Sequence, residues 1–365
     1  MIRKFLPVGQ GAFYVEQFKD GKNVVYDCGS STNIDIVKRE IKNTFSKGEA
    51  IEAVFISHMH DDHINGLEML LKYCNVRTVY IPYLTTKEKS LTKVIRKIEK
   101  LQQGDWVGRF IDNPYETILS SNDSTRIIYV DTERNNEEIT YEIIPNSNNE
   151  IINSGSKIEI YKNNAHSWVY IPYNFREKSR KQKFLSQLLL NGVEINKLME
   201  NLNDSAYWKE NLTEIEKAYY EVSGSLNTNS MVVYSGPDYA DLYFHDVRMC
   251  RNHCYHYCYS HKRCGCIFMG DYDASGRAKW EQLSKSYEKY WENIGTIQIP
   301  HHGSRHNYNE EMSSNGSILV ISSGFSNKYR HPHSMVIKDI LESRSPVFWV
   351  TEKSGSTAEF HIDGV

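Results

Sequence analysis

The sequence predicts an α/β protein in which apolar strands alternate with amphipathic helices. The apolar run IEAVFIS at residues 51–57 has the composition of a buried strand, and Leu67, Leu70 and Leu71 after it repeat at helical spacing. The same alternation returns after Asn227, where CIFMGD precedes the helical pattern RAKWEQLSKSYEKYWENIG. These two observations predict βα units in both halves of the chain.

Other segments give the order of the remaining elements. FLPVGQGAFYVEQF and KNVVYDCGSS are separated by the turn KDGK, which predicts a hairpin. IDIVKREIKNTF predicts a helix, VRTVYIPY a strand and KEKSLTKVIRKIEKLQQ a basic helix. Beyond residue 104 the pattern loosens, with strands predicted at TRIIYVD, SKIEIYK and SWVYIPY and mainly helix at residues 184–221.

Composition and charge limit the classes of function. The 365 residues are 40% hydrophobic and 24% charged, as in ordinary globular proteins, and the net charge of −3 gives no global attraction to nucleic acid. The first residues lack the apolar centre of a signal peptide, and no run approaches the ~20 apolar residues of a membrane span. We therefore expect a cytoplasmic protein with reduced thiols and no membrane association.

The densest polar cluster follows directly after the predicted strand at residues 51–57. The stretch FISHMHDDHING contains His58, His60, Asp61, Asp62 and His63. In α/β sheets the rim where a strand ends and a helix begins is where ligands bind. Imidazoles and carboxylates crowded there are best accommodated by a cation, so the pattern predicts a divalent metal site.

Later predicted strands also end on side chains that can bind metal. IFMGD ends on Asp271, IQIPHHG ends on His301 and His302, and VISSGFSNKYRHPH leads to His331 and His333. One shared site explains these endings better than separate structural roles.

Together these motifs resemble the metallo-β-lactamase-fold hydrolases, and more narrowly the hydrolase domain of ComEC-type DNA-uptake proteins and their free-standing relatives. The matching segments are VGQGAFYVE, VVYDCGS, HMHDDHING, NTNSMVVY, FMGD, IPHHGS and SSGFSNKYRHP. The resemblance implies a four-layer αββα sandwich with the site at the edge between the sheets. Residues 1–83 and 226–365 would form its two halves, the second with a Cys-rich insertion at 250–266, and residues 84–225 would be a mixed α/β insertion or elaboration.

The resemblance also implies a set of metal ligands. They are His58 and His60 for one ion, Asp62, His63 and His302 for a second ion, with His301 as the alternative to His302, and Asp271 as a bridge between both ions. The wider fold has a further His where this chain has NTNS, which leaves the first ion one protein ligand short. Both Zn²⁺ and Mn²⁺ are therefore candidates, and His166 is a candidate for the missing ligand.

Residues near these ligands are expected to support them. Asp27 is predicted to orient the metal loop through hydrogen bonds, and Asn227 and Ser230 of NTNSMVVY are expected to have a similar role. Asp61 is expected to point away from Asp62. His331 would contact a phosphate oxygen or protonate a leaving group, or else cap the helix that is predicted to begin near residue 334.

Five of the seven cysteines cluster in MCRNHCYHYCYSHKRCGC. The segment at residues 250–266 predicts either one structural zinc site or a Cys-rich hairpin without metal. The candidate ligands are Cys250, Cys254, Cys258, Cys264 and Cys266, with His253, His256 or His261 as alternatives. Disulfides are not expected in the cytoplasm.

The ligand set predicts hydrolysis of an anionic substrate. Two dications with Asp62 and Asp271 as the only carboxylate ligands leave the site with net positive charge. A metal can lower the pKa of bound water to ~7, which provides a hydroxide nucleophile. The leading prediction is a metal-dependent phosphodiesterase that acts as a nuclease on DNA or RNA, with Asp62 and His331 in catalysis.

A basic segment separates this prediction from its alternatives. YNFREKSRKQKF offers Arg176, Arg180 and Lys181 as contacts for a polyanion. If these residues do not contact substrate, a metallo-hydrolase of a small ester, lactone, β-lactam or cyclic nucleotide is the alternative. A metal-stabilised module that binds a protein partner is the third.

Overall fold

The computed structural model describes residues 1–99, 101, 105–132, 150–162, 167–176, 178–222, 226, 229–238, 247–250 (backbone), 263–314 and 316–362. The strands are β1 (Ile2–Phe5), β2 (Gly11–Gln17), β3 (Asn23–Ser30), β4 (Ala50–Ile51), β5 (Ala53–Phe55), β6 (Asn75–Val76), β7 (Thr78–Pro82), β8 (Arg126–Asp131), β9 (Glu150–Asn153), β10 (Ile158–Lys162), β11 (Ser167–Arg176), β12 (Asn229–Pro237), β13 (Val247–Cys250), β14 (Gly265–Phe268), β15 (Ile294–Gln298), β16 (Ile318–Ser322), β17 (Val347–Val350) and β18 (Ala358–Ile362).

The helices are α1 (Ile34–Thr44), α2 (Asp61–Ile64), α3 (Leu67–Tyr73), α4 (Thr86–Ile98), α5 (Trp106–Asp112), α6 (Pro114–Ser121), α7 (Ser179–Leu190), α8 (Ile195–Glu200), α9 (Ser205–Tyr220), α10 (Arg277–Ser286), α11 (Glu311–Ser314) and α12 (Ser334–Glu342). Short 3₁₀ helices cover Glu288–Asn293, His301–Gly303 and Ser354–Ser356. Among the described residues, no helix has the length and apolar character needed to cross a bilayer.

Two large sheets organise these strands. The first has the order β13-β18-β1-β2-β3-β5-β7-β8-β9, and the second has the order β10-β11-β12-β14-β15-β16-β17. Each sheet has an antiparallel side and a parallel side. In the first sheet the parallel strands are β3, β5, β7, β8 and β9. In the second sheet they are β14 to β17. β4 and β6 form a separate two-stranded pair.

Three apolar clusters produce the layers. The inner cluster joins the facing sides of both sheets through residues such as Phe55, Tyr170 and Phe268. One outer cluster packs α1, α3, α5 and α6 on the first sheet, and the other packs α10 and α12 on the second sheet. The four-layer αββα sandwich implied by the resemblance is confirmed.

The middle of the chain, residues 84–225, is divided among the layers. β8 and β9 extend the first sheet beside β7, while β10 and β11 extend the second sheet beside β12. Only α4 and α7 to α9 build a separate cluster, through residues such as Ile95, Phe184 and Ile215. These four helices are called the helical cap below.

Candidate metal centre

The loop after β5 brings four predicted ligands together. β5 ends at Phe55, and α2 begins at Asp61 with His60 at its N-cap. The ring centroid of His58 lies 4.7 Å from that of His60 and 4.1 Å from that of His63. The strand β3 can approach α2 because Gly29 has no side chain: a Cβ there would lie 2.6 Å from the carbonyl carbon of Asp62.

Asp271 enters from the second sheet and faces two of these histidines. One of its carboxylate oxygens, Oδ2, lies 3.5 Å from Nε2 of His58, and the other, Oδ1, lies 3.3 Å from Nε2 of His63. Gln298 fixes the turn before Asp271 because its side-chain oxygen accepts from the backbone N–H groups of Met269 and Gly270. Burial alone would raise the pKa of Asp271, but the surrounding histidines hold that pKa well below its usual range.

His302 approaches from the end of β15 and faces Asp62. Its Nδ1 lies 2.8 Å from the carbonyl oxygen of Ser322, and its Nε2 lies 3.2 Å from Oδ2 of Asp62. Donation from Nδ1 to that carbonyl leaves Nε2 of the neutral ring with a lone pair directed at the cluster, as a metal ligand requires.

His301 lies on the other side of Asp271. Its Nε2 is 3.5 Å from Oδ2 of Asp271, and its Nδ1 is 3.0 Å from Oδ1 of Asn307. His301 and His302 both have positive φ angles, 47° and 56°, in a region that side chains with a Cβ occupy at a cost of about 1–3 kcal/mol. This backbone turns both imidazoles towards the carboxylates.

The residues present fit a divalent metal. Their ligand atoms form three overlapping groups within 4.8 Å: His58, His60 and Asp271; His58, Asp62 and His63; His63, Asp271 and His302. Nε2 of His58 and Nε2 of His63 are buried and make no hydrogen bond within the described structure. Buried polar atoms need a partner, and a cation between these rings and Asp271 would provide it.

Asp27 is the residue that orients the loop. It accepts hydrogen bonds from the backbone N–H of Ser57 at 2.7 Å and from its hydroxyl at 2.6 Å. Its Oδ2 also lies 2.7 Å from Nδ1 of His63. Donation from this Nδ1 directs Nε2 of His63 towards Asp271.

Ser230 supports Asp271 from β12. Its hydroxyl accepts from the backbone N–H of Asp271 at 3.3 Å and donates to the carbonyl oxygen of Met269 at 3.2 Å. The predicted supporting residue Asn227 and the candidate ligand His166 lie outside the described residues.

His331 lines the same cleft as the predicted ligands. Its ring centroid lies 5.5 Å from that of His301, and its Nδ1 is buried without a hydrogen bond in the described structure. Burial lowers the pKa of His331 to about 3. The alternative role, capping the helix α12, belongs to His333, whose Nδ1 accepts from the backbone N–H of Met335 at 3.2 Å.

The three cations predicted to bind substrate form ion pairs with carboxylates of the same chain. Arg176 and Lys181 lie 3.3 and 3.7 Å from Oε1 of Glu88, and Arg180 lies 2.9 Å from Oδ2 of Asp273. Their side chains are only 20%, 25% and 12% exposed. The sequence could not reveal this pairing because Glu88 lies on α4, far away along the chain. These residues therefore do not form the open basic surface that the sequence suggested.

The structure describes the side chains of two of the five candidate zinc ligands. Cys264 and Cys266 are buried in the apolar cluster between the sheets, and burial raises the pKa of both thiols to about 12. Neither belongs to a group of metal-binding side chains in the described part of the chain. The side chain of Cys250, and Cys254 and Cys258, lie outside the described residues.

The metal cluster opens into a cleft of about 760 Å³. Part of its lining comes from the helical cap and the segment after it, and another part comes from the loop between β16 and α12. The lining residues that the sequence did not single out include Glu99, Tyr219, Tyr220, Lys328 and Tyr329. Lys328 and Tyr329 lie inside the motif SSGFSNKYRHP, whereas no pattern marked the residues of the cap.

Asp61, the first residue of α2, lies outside the grouped ligand atoms and contacts the cap. Arg96 on α4 donates to Asp61 and also to both carboxylate oxygens of Asp105, at 2.9 and 3.0 Å. The side chain of Arg96 is 1% exposed. This buried cation ties the helical cap to the loop that carries His60 and Asp62.

Comparison with known proteins supports the fold. Residues 6–119 match the family model described as the metallo-beta-lactamase superfamily. The chain is also 34% identical over 70 residues to the "Probable metallo-hydrolase YflN" of Bacillus subtilis (strain 168). That match spans 18% of this chain and about a quarter, 26%, of the length of the relative.

The solved structures that the chain matches share little sequence with it. Zn²⁺-bound PqqB from Methylobacterium extorquens is 8% identical, with a TM-score of 0.42 and coverage of 95% of this chain and 86% of that one. The short form of human tRNase Z is 10% identical, with a TM-score of 0.35 and coverage of 82% and 77%. The narrower resemblance to ComEC-type proteins stays a prediction. With residues 6–119 matching that family model, and with two facing sheets that carry helices on both outer faces, the chain has the metallo-β-lactamase-type αββα fold.

Proposed function

We propose that the chain is a metal-dependent hydrolase of phosphodiesters that acts as a nuclease. The observation that carries the proposal is the position of Asp271 between His58 and His63, with one carboxylate oxygen facing each ring. This arrangement suits a carboxylate that bridges two cations. Two such ions, Zn²⁺ or Mn²⁺, would lower the pKa of bound water to near neutrality and bind both the attacking and the leaving oxygen of a phosphodiester.

Charge favours an anionic substrate. Two dications supply four positive charges, and Asp62 and Asp271 are the carboxylates within the grouped ligand atoms. The centre would therefore stay positive, which attracts a phosphodiester more strongly than a neutral amide. His331, which lines the cleft, would contact a phosphate oxygen as a neutral ring, because burial lowers its pKa to about 3.

Incubation of the purified protein with single- and double-stranded DNA and RNA under Mn²⁺, Zn²⁺ and Mg²⁺ tests the proposal. We expect cleavage that requires the metal and falls to background in Asp62→Ala. Asp35→Ala is the matched control, because Asp35 is 74% exposed on α1 and lies outside the cluster. Equal cleavage by wild type and Asp62→Ala would remove the metal mechanism.

A small-molecule hydrolase is the second candidate, favoured by the size of the cleft. At about 760 Å³ it lies within the range of roughly 300–1,000 Å³ that is common for small-ligand sites. Hydrolysis of esters, lactones, β-lactams or cyclic nucleotides, without cleavage of any nucleic acid, would favour this function.

A further inference from the structure

Exposed aromatic side chains gather at the metal cleft. Among the described residues, the large apolar side chains that are exposed include four aromatic ones: Tyr220, Phe325, Tyr329 and Trp349, at 75%, 61%, 49% and 38%. Tyr220 and Tyr329 line the cleft. Phe325 lies between two lining residues, and Trp349 stacks on it with ring centroids 6.4 Å apart.

This grouping points to a ligand. Exposed apolar side chains scattered singly need no explanation, but a contiguous group beside a cleft marks a binding surface. The other exposed large apolar side chains of the described residues, such as Leu190 and Met335, are aliphatic. In the described part of the chain, the exposed aromatic side chains therefore lie at the cleft and its rim.

Tyr329 begins a series of rings that reaches the metal cluster. Its ring lies nearly parallel to that of His331, at 5.9 Å and 20°, and His331 lies 5.5 Å from His301. Nζ of Lys328 is 4.9 Å from the centroid of Tyr329. A flat surface and a cation thus lie together at the wall that leads to Asp271.

Tyr220 provides a second flat surface from the end of α9. Tyr219 contacts it edge-on with ring centroids 5.5 Å apart. The hydroxyl of Tyr219 lies 3.4 Å from Oε1 of Glu99, and burial raises the pKa of Tyr219, which keeps it a neutral donor. Because Tyr219 is held in this way, the ring of Tyr220 has a fixed support although it is mostly exposed.

We propose that the cleft binds single-stranded nucleic acid, with a base stacked on Tyr220 or Tyr329 and the adjacent phosphate at the metal cluster. This inference rests on the proposed function. A nucleotide joins an aromatic face to an anion, and the cleft places aromatic walls beside a centre that metal makes positive. The strand must be single, because duplex bases already use their faces to stack on each other.

Two chromogenic substrates isolate the contribution of the base. The p-nitrophenyl ester of thymidine 5′-phosphate carries a base, whereas methyl p-nitrophenyl phosphate does not, and both release the same leaving group. We expect Tyr220→Ala and Tyr329→Ala to lower kcat/KM for the nucleoside ester by roughly 5- to 150-fold, since stacking contributes about 1–3 kcal/mol per base. In Tyr220→Ala the loss for the methyl ester should be smaller than the loss for the nucleoside ester, and Tyr220→Phe should retain most of the wild-type preference.

Controls separate the two proposals. Leu190→Ala removes an exposed side chain on α7 and should leave both substrates unaffected. An oligothymidylate strand should inhibit hydrolysis of the nucleoside ester more strongly than a blunt DNA hairpin with the same number of phosphates.

If wild type cleaves both esters and Tyr220→Ala and Tyr329→Ala keep the same preference between them, stacking is wrong and the phosphodiesterase stands. If wild type with metal cleaves neither ester nor any nucleic acid, the proposed function itself fails.

Discussion

At the scale of single residues, Asp27 connects the scaffold to the metal loop. It accepts from both donors of Ser57 and from Nδ1 of His63, all within 2.7 Å. Such partners of metal ligands typically contribute a factor of about 10–100 to metal affinity. We therefore expect Asp27→Asn to weaken Zn²⁺ or Mn²⁺ binding by about 10- to 100-fold in calorimetric titration. An affinity equal to that of the Asp35→Asn control would mean that Asp27 has only a structural role.

A second prediction at the residue scale concerns Glu99 and the pH dependence of folding stability. Burial at the cleft wall and the charge of Asp62 raise the pKa of Glu99 from 4.5 to about 7. The folded state then binds this proton more tightly than the unfolded chain, so stability falls as pH rises through this interval. The difference in Tm between Glu99→Gln and wild type should increase from about pH 5 to about pH 8 in thermal melts. A difference that is independent of pH would contradict the shift.

At the scale of elements, α4 and α2 are coupled through Arg96. This guanidinium is buried between Asp61 and Asp105, which are 17% and 31% exposed. Removal of one partner of a buried pair typically costs about 3–5 kcal/mol, and partial access of water to the two carboxylates places Arg96→Ala near about 3 kcal/mol.

Denaturant unfolding measures that cost. Arg39→Ala breaks the pair with Glu40, where Arg39 is 50% exposed, and should change the free energy of unfolding by less than about 1 kcal/mol. Metal titration of Arg96→Ala should also show weaker binding, because Asp61 lies between His60 and Asp62. Wild-type stability and metal affinity in Arg96→Ala would show that the cap and the metal loop are independent.

At the scale of the whole molecule, the parts predictable from the sequence were those encoded locally. His58 to His63 follow one strand, and each later motif also ends a strand, so a common edge could be inferred from βα order. The positions of residues in the middle of the chain depend on distant partners. Phe184 and Ile215 pack with Ile95 in the cap. Strand β11 pairs with β12. No local sequence pattern predicts either contact.

The ion pairs of the basic segment could likewise not be predicted from the sequence. Arg176, Arg180 and Lys181 belong to a basic segment of the sequence, yet Glu88 and Asp273 pair with them after folding. The aromatic residues of the cleft, Tyr220 and Tyr329, come from separate segments of the chain and have no shared motif. Sequence patterns thus indicated the metal centre, whereas the surroundings that would select a substrate required the fold.

We propose that Asp271 and the histidines that face it, His58 and His63, would hold divalent metal between the sheets. Anomalous diffraction from crystals of the Zn²⁺-loaded protein tests it most directly. We predict two peaks about 3.5–4 Å apart, one on each side of the Asp271 carboxylate. One peak would lie beside His58 and His60, and the other beside His63 and His302. Absence of any peak within about 2.2 Å of an Asp271 oxygen would contradict the claim.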